Sequence, residues 1–180
     1  MENKIYEFTF RPKVDKSRAN PLFCGVLLAS LLVMLVSINL PRFSGVVSLF
    51  AVAGLCYSLY LYTRYVASTY AYTVSWNSSG EAIFIVTKLT GERASTMFSV
   101  ELKKVISIQR FTKNDYSAFL KGKKVLKHNY VQTYGVNEFF VMKTMNGSTE
   151  SYIALECTAE VAGRILEYAA IAREASLQDE

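Results

Sequence analysis

Residues 103–127 carry eight basic side chains, Lys103, Lys104, Arg110, Lys113, Lys121, Lys123, Lys124 and Lys127, against Asp115 alone. Groups of this kind attract anions rather than make or break bonds, and each one held near an anionic bilayer surface contributes ~1 kcal/mol of attraction. Arg110, Lys113, Lys121, Lys123, Lys124 and Lys127 are therefore the expected anionic-lipid contact. A solvated cationic loop and a protein-partner site are the competing readings of the same residues.

Groups suited to covalent or acid–base chemistry are sparse. His128 is the only histidine and is flanked by Lys127 and Asn129, which suits a surface or strand-edge residue. No Ser–His or Cys–His arrangement suggests itself around it. Lys121-Gly122-Lys123-Lys124 resembles the end of a phosphate-binding loop, but Ser117 stands where such a loop needs its earlier glycine. Glu156 and Glu160 are better explained by the start of a helix than as a paired acid and base. The three cysteines, Cys24, Cys56 and Cys157, form no CxxC pair, so neither a zinc site nor a disulfide framework is expected. Asn77-Ser78-Ser79 and Asn146-Gly147-Ser148 match the N-glycosylation pattern, which carries no meaning for a cytoplasmic or bacterial domain. The reading is of a protein that is not an enzyme, with no catalytic residues, metal or cofactor. A net charge of +5 is too small to argue for nucleic acid as a partner.

The elements that must position these residues divide into an apolar hairpin and a folded remainder. Residues 21–40, PLFCGVLLASLLVMLVSINL, carry no charge, and as a helix they reach ~30 Å, the thickness of a bilayer's hydrocarbon core. After the turn Pro41-Arg42-Phe43-Ser44-Gly45, residues 46–62, VVSLFAVAGLCYSLYLY, are also uncharged, reach the same length with Phe43 to Gly45 added, and place the second span at 43–65. Lipid offers no partner to backbone N–H and C=O groups, so both runs are expected as transmembrane helices. The first run is too long for the core of a signal peptide, and a second span follows at once. Small residues recur at four-residue spacing in Gly25 and Ala29, Ser44 and Ser48, and Gly54 and Ser58. Such spacing lets helix backbones approach, either to close the hairpin, the favoured reading, or to make a homodimer.

Lys4, Arg11, Lys13, Lys16 and Arg18 precede the first span, whereas the turn carries only Arg42. That asymmetry places both termini in the cytoplasm of a multi-pass protein of the cell membrane. Tyr57, Tyr60, Tyr62 and Tyr65, with Arg64, suit the headgroup boundary at the end of the second span.

Beyond residue 66 the pattern changes to period two. TYAYTVSW (69–76), EAIFIVTK (81–88), ASTMFSVEL (94–102) and VISIQRF (105–111) read as a four-stranded meander, with Ile106 and Ile108 on one face. Residues 112–127 break the rhythm, and Asn114 or Asp115 can cap a helical turn through Leu120. Strands resume at HNYVQTY (128–134), NEFFVMKTM (137–145) and ESYIALE (150–156), with a turn at Asn146-Gly147. A last helix is capped by Thr158 and carries the apolar stripe Val161, Ala162, Ile165, Tyr168, Ala169 and Ala172, fraying beyond Ala175. Residues 5–10, IYEFTF, fit either an added edge strand or a stretch lying on the membrane.

The expected architecture is α+β: a cytoplasmic segment (1–20), a transmembrane helical hairpin (21–66), a folded cytoplasmic domain (67–176) and a short tail (177–180). Four strands, three strands and a C-terminal helix resemble the order of a pleckstrin-homology (PH)-like antiparallel barrel or sandwich. The hairpin together with Gly91-Glu92-Arg93, VELKKVISIQ (100–109) and the last helix is similar to uncharacterised bacterial two-span membrane proteins with a cytoplasmic PH-like domain. A fold of this kind does not give function by itself, and the leading reading is a non-enzymatic membrane-anchored adaptor or scaffold whose PH-like domain binds a protein partner, another subunit of a membrane complex or a copy of itself. An anionic-lipid sensor using the basic loop 103–127, or an accessory subunit of a membrane transport or secretion complex, is the alternative. Phosphoinositide-binding PH domains place basic residues between their first two strands, where this chain has Asn77-Ser78-Ser79-Gly80-Glu81, so that headgroup pocket does not carry over.

Overall fold

The fold is described from a computed structural model covering residues 5–39 and 44–178. Lys4, the turn residues Pro41, Arg42 and Phe43, and the last two tail positions lie outside the described residues. The chain divides into two compact units.

One unit, Val14–Thr69 with Thr133–Gly135, contains the apolar hairpin. Helix α1 spans Ala19–Ile38 and α2 spans Ser44–Leu61. Pro21 falls in the first turn of α1, where the missing N–H has no helical partner to lose. The end of α2 widens into a π-helical turn, Tyr62–Val66, whose last carbonyl accepts from Lys16 Nζ at 2.6 Å. The spans are 20 and 23 residues long, with mean hydropathies of 2.5 and 1.7, long and apolar enough to cross a bilayer. What they bury against each other is small. Ala19, Ser30 and Ser37 are the buried residues of α1, and Ala51, Ser58 and Leu61 those of α2. Each buried serine returns its hydroxyl to a carbonyl of its own helix, so the seam contains no orphaned donor. Gly25 and Ala29 face outward and take no part in this seam.

The other unit is a pair of four-stranded sheets and a long helix. The first sheet has the order β1 (Phe8–Phe10), β2 (Ser68–Trp76), β3 (Ala82–Thr90) and β4 (Arg93–Glu101). Residues 8–10 are thus an edge strand, in register as Phe8 with Val74 and Phe10 with Tyr72. The second sheet has the order β5 (Val105–Thr112), β7 (Glu138–Asn146), β8 (Thr149–Leu155) and β6 (Leu126–Asn129). Helix α3 (Lys113–Leu120) joins β5 to β6, and α4 (Ala159–Gln178) ends the described chain. The shared core gathers Tyr72, Val74, Phe84, Val86, Leu102, Met142, Ile153 and Leu155 with Ile165 and Ala169 of α4. Thr158 caps α4, accepting from Val161 N at 3.3 Å.

Several expectations need correction. The strand at 105–112 is not the fourth member of a meander. Leu102–Lys104 forms a single turn that buries Leu102 and delivers β5 to the other sheet. The sheets do not close into a barrel, and they are not wholly antiparallel, because β6 runs parallel to β8. Strand β6 ends at Asn129, short of 134. Beyond it the side chain of Gln132 replaces a strand neighbour, accepting from Tyr70 N at 2.9 Å. Thr112, rather than Asn114 or Asp115, caps α3, its Oγ1 accepting from Asp115 N at 3.2 Å. Helix α4 continues past Ala175 to Gln178.

Ile106 and Ile108 do not share a face. A β-bulge between Val105 and Ser107 inserts a residue into the strand and shifts the alternation. Ile108 is buried in the core while Ile106 is 40% exposed.

Candidate ligand cleft on the outer face of the second sheet

The second sheet has two working faces because of its connectivity. Strands β5 and β6 stand at opposite edges and run the same way, since β5 and β8 are both antiparallel to β7 and β6 is parallel to β8. Two parallel strands need a crossover rather than a hairpin, and here the crossover is α3 with its following loop. It packs on the face turned away from the main core. Tyr116, Phe119 and Leu120 of α3 meet Phe111, Phe139, Val141, Tyr152 and Ala154 of the strands. The rings interlock, with Phe119 centred 5.3 Å from Phe111 and 5.4 Å from Tyr152.

Eight residues of helix cannot cover four strands, and the uncovered part of this face is a cleft of about 470 Å³. Its floor is set by register. Ser107 of β5 pairs with Lys143 of β7, Lys143 with Tyr152 of β8, and Tyr152 with Lys127 of β6. Cross-strand neighbours project to one face, so Ser107, Lys143, Tyr152 and Lys127 form a polar row across the sheet. The adjacent row, Ile108, Met142, Ile153 and His128, projects the other way into the interior. His128 is thus a strand-edge residue, its ring 5.1 Å from Phe98 and stacked 6.1 Å from Tyr130.

The bulge in β5 turns Ile106 into the cleft beside Ser107 and Gln109, while Phe119 and Lys123 form the opposite wall. Lys123 Nζ sits 3.4 Å from the Phe119 ring centroid. At the centre, Lys143 Nζ donates to Glu150 Oε1 at 2.6 Å and Tyr152 Oη donates to Glu150 Oε2 at 2.9 Å. The hydrogen bond from Lys143, then that from Tyr152, holds the Glu150 carboxyl below the usual glutamate range. The hydrogen bond to Glu150 holds the Lys143 ammonium above the usual lysine range. Burial, then the bond to Glu150, pushes the Tyr152 phenol up. The pair therefore stays charged, and the phenol neutral, across the physiological range.

The basic residues expected to act together are divided by the fold. Lys103 pairs with Glu81 and lies 3.4 Å from Glu101, Lys104 pairs with Glu101 at 2.7 Å, and Arg110 pairs with Glu138. Lys113 is the first residue of α3, and Lys121 and Lys124 are exposed on the loop after it. Among the described residues these three form no ion pair. Lys123 lines the cleft, and Lys127 lies outside its lining, paired with Tyr152 on the edge strand. Arg110 and Lys113 do not extend the sheet of β2, β3 and β4, because β5 belongs to the other sheet.

Sequence reading missed Ser107, Gln109, Lys143, Glu150 and Tyr152. Only the hairpin turn Asn146-Gly147 could have signalled part of this group, since it fixes Lys143 opposite Tyr152. Compared with protein-family models, with curated proteins and with solved structures, the chain matches none.

Proposed function

We propose that this chain is a membrane-anchored binding protein. Its hairpin crosses the bilayer twice, and its two-sheet unit, read as a PH-like domain, works at the cytoplasmic face as a non-enzymatic adaptor for a protein partner. The observation that carries the anchoring is the outer surface of the hairpin. Leu28, Leu32, Leu35, Ile38, Leu49, Phe50 and Leu59 are each more than 60% exposed, while the buried seam is made largely of Ser and Ala. In water each such side chain would forgo ~1.5–3 kcal/mol of burial, whereas in lipid it is already solvated. A small-residue seam inside an apolar shell is the packing logic of membrane helices. The basic residues Arg11, Lys13, Lys16 and Arg18 ahead of α1 favour cytoplasmic termini. Binding rather than catalysis is supported by the cleft, whose acid and base are locked to each other in charged form and not poised near neutral pH.

The test uses Ser17→Cys and Ser78→Cys, both at exposed positions, in a full chain lacking its own cysteines. The protein should resist extraction from membranes by alkaline carbonate. Both sites should react with a membrane-impermeant maleimide only after the cells are opened. Release by carbonate would reject the anchor, and labelling of intact cells would reject the orientation.

A second reading is favoured by Lys113, Lys121 and Lys124, which are exposed and unpaired by any acid among the described residues. These side chains suit contact with anionic headgroups, as a lipid-surface sensor would require.

A further inference from the structure

The cleft on the second sheet carries unequal charge. Lys143 and Glu150 neutralise each other, leaving Lys123 on the wall, while Lys127 stands just outside the lining, beside Tyr152 on the edge strand. Neither makes an ion pair among the described residues. Lys123 is held instead over the Phe119 ring, an interaction that leaves its hydrogen-bonding capacity largely free. Ser107 and Gln109 add a hydroxyl and an amide to the floor, and Phe111 and Phe119 an apolar rim. The volume of about 470 Å³ suits a small ligand.

We propose that this cleft is a binding site for a phosphomonoester on a small polar scaffold, with Lys123 and Lys127 as its charge partners and Ser107 and Gln109 as hydrogen-bonding partners of the scaffold. A phosphomonoester carries about −1.5 to −2 at neutral pH, which two ammonium groups match. A single carboxylate or a phosphodiester, with one charge, leaves one lysine uncompensated. The site needs nothing from the hairpin, since all its residues belong to the two-sheet unit.

The same chemistry is offered by a soluble metabolite and by a lipid headgroup, and lysine footprinting separates them. The full chain is placed in nanodiscs of phosphatidylcholine, and the acetylation rate of each lysine is followed by mass spectrometry. Glycerol 3-phosphate is expected to slow Lys123 and Lys127 about fivefold or more at saturation and to spare Lys113 and Lys121, with an apparent affinity about tenfold weaker for Lys123 in Lys127→Ala. That result assigns a soluble ligand. If glycerol 3-phosphate is inert but doping the disc with phosphatidic acid, and not with phosphatidylglycerol, protects the same two lysines, the source is a lipid. Equal protection of Lys113, Lys121, Lys123 and Lys127 by both anionic lipids would overturn the site in favour of diffuse surface attraction. Equal protection by acetate, or none by any probe, would also overturn it.

Discussion

Gly54 on α2 lies directly against Ser30 on α1, so close that a β-carbon built on the glycine would stand 3.2 Å from the Ser30 β-carbon and overlap its hydroxyl. The Ser30 hydroxyl is not free to move away without cost, because it donates to Val26 O at 2.7 Å. Gly54→Ala is therefore expected to loosen the hairpin by ~1–3 kcal/mol, the range for overpacking a tight contact. Gly25→Ala, with nothing within 4 Å of the new atom, should be neutral or slightly stabilising. Unfolding of the full chain in detergent, followed by circular dichroism, measures both. Adding Ser30→Gly to Gly54→Ala should recover much of the loss, a coupling absent if the two residues do not touch.

The Lys143–Glu150 pair makes a prediction about pH. The Glu150 carboxyl is held below 4.5, so its contribution is present above that value and is lost as pH falls through the lowered one. The Lys143 ammonium is held above 10.5, so its contribution is present below that value and is lost as pH rises through the raised one. Lys143→Met should therefore lower the melting temperature by a nearly constant amount between about pH 5 and 10, with the gap closing on either side. Both side chains are about a third exposed, so added salt should shrink the gap as well. A gap that changed sign near neutrality would exclude the pairing.

Strand β1 makes the sheet unit depend on residues that precede the hairpin in sequence. Ile5 enters the core, Phe8 packs at 6.1 Å from Tyr168 and Phe10 stacks at 6.3 Å from Tyr72. A fragment of residues 67–180 would expose those contacts and leave β2 as an open edge, a template for association. Such a fragment should unfold at lower urea concentration and aggregate more readily than one in which residues 5–13 are joined ahead of residue 68 by a flexible linker. Equilibrium unfolding with light scattering tests this. Equal behaviour of the two would mean that β1 contributes nothing.

How much of this was legible depended on whether the information is local. The two long apolar helices are written in uninterrupted runs, and the α4 stripe from Val161 to Ala172 repeats at helical spacing, so these helices could be read directly. Alternation marks β5 as a strand but does not say which sheet it joins, and the turn at Leu102 that decides this is one buried side chain. The parallel pairing of β6 depends on a crossover through α3, which no neighbouring residue signals. The basic cluster could be counted from sequence, yet Glu81, Glu101 and Glu138 remove Lys103, Lys104 and Arg110 from it. The cleft joins three strands, α3 and a loop, so Ser107, Lys143 and Tyr152 become neighbours only when register is known.

The bulge in β5 separates two isoleucines that regular alternation would put on the same face. Ile108 is 8% exposed and belongs to the core, so Ile108→Ala should cost ~2–5 kcal/mol through lost burial and an unfilled cavity. Ile106 lines the open cleft, so Ile106→Ala should cost well under ~1 kcal/mol, as expected for a largely solvated position. Urea unfolding of the two variants compares them directly. Similar losses would mean that the strand runs without its bulge, with Ile106 inside. The cleft would then lose Ile106 from its lining, and Val105, now buried opposite Thr144, would turn to the outer face. The stability difference between these two variants therefore checks the bulge that turns Ile106 into the cleft.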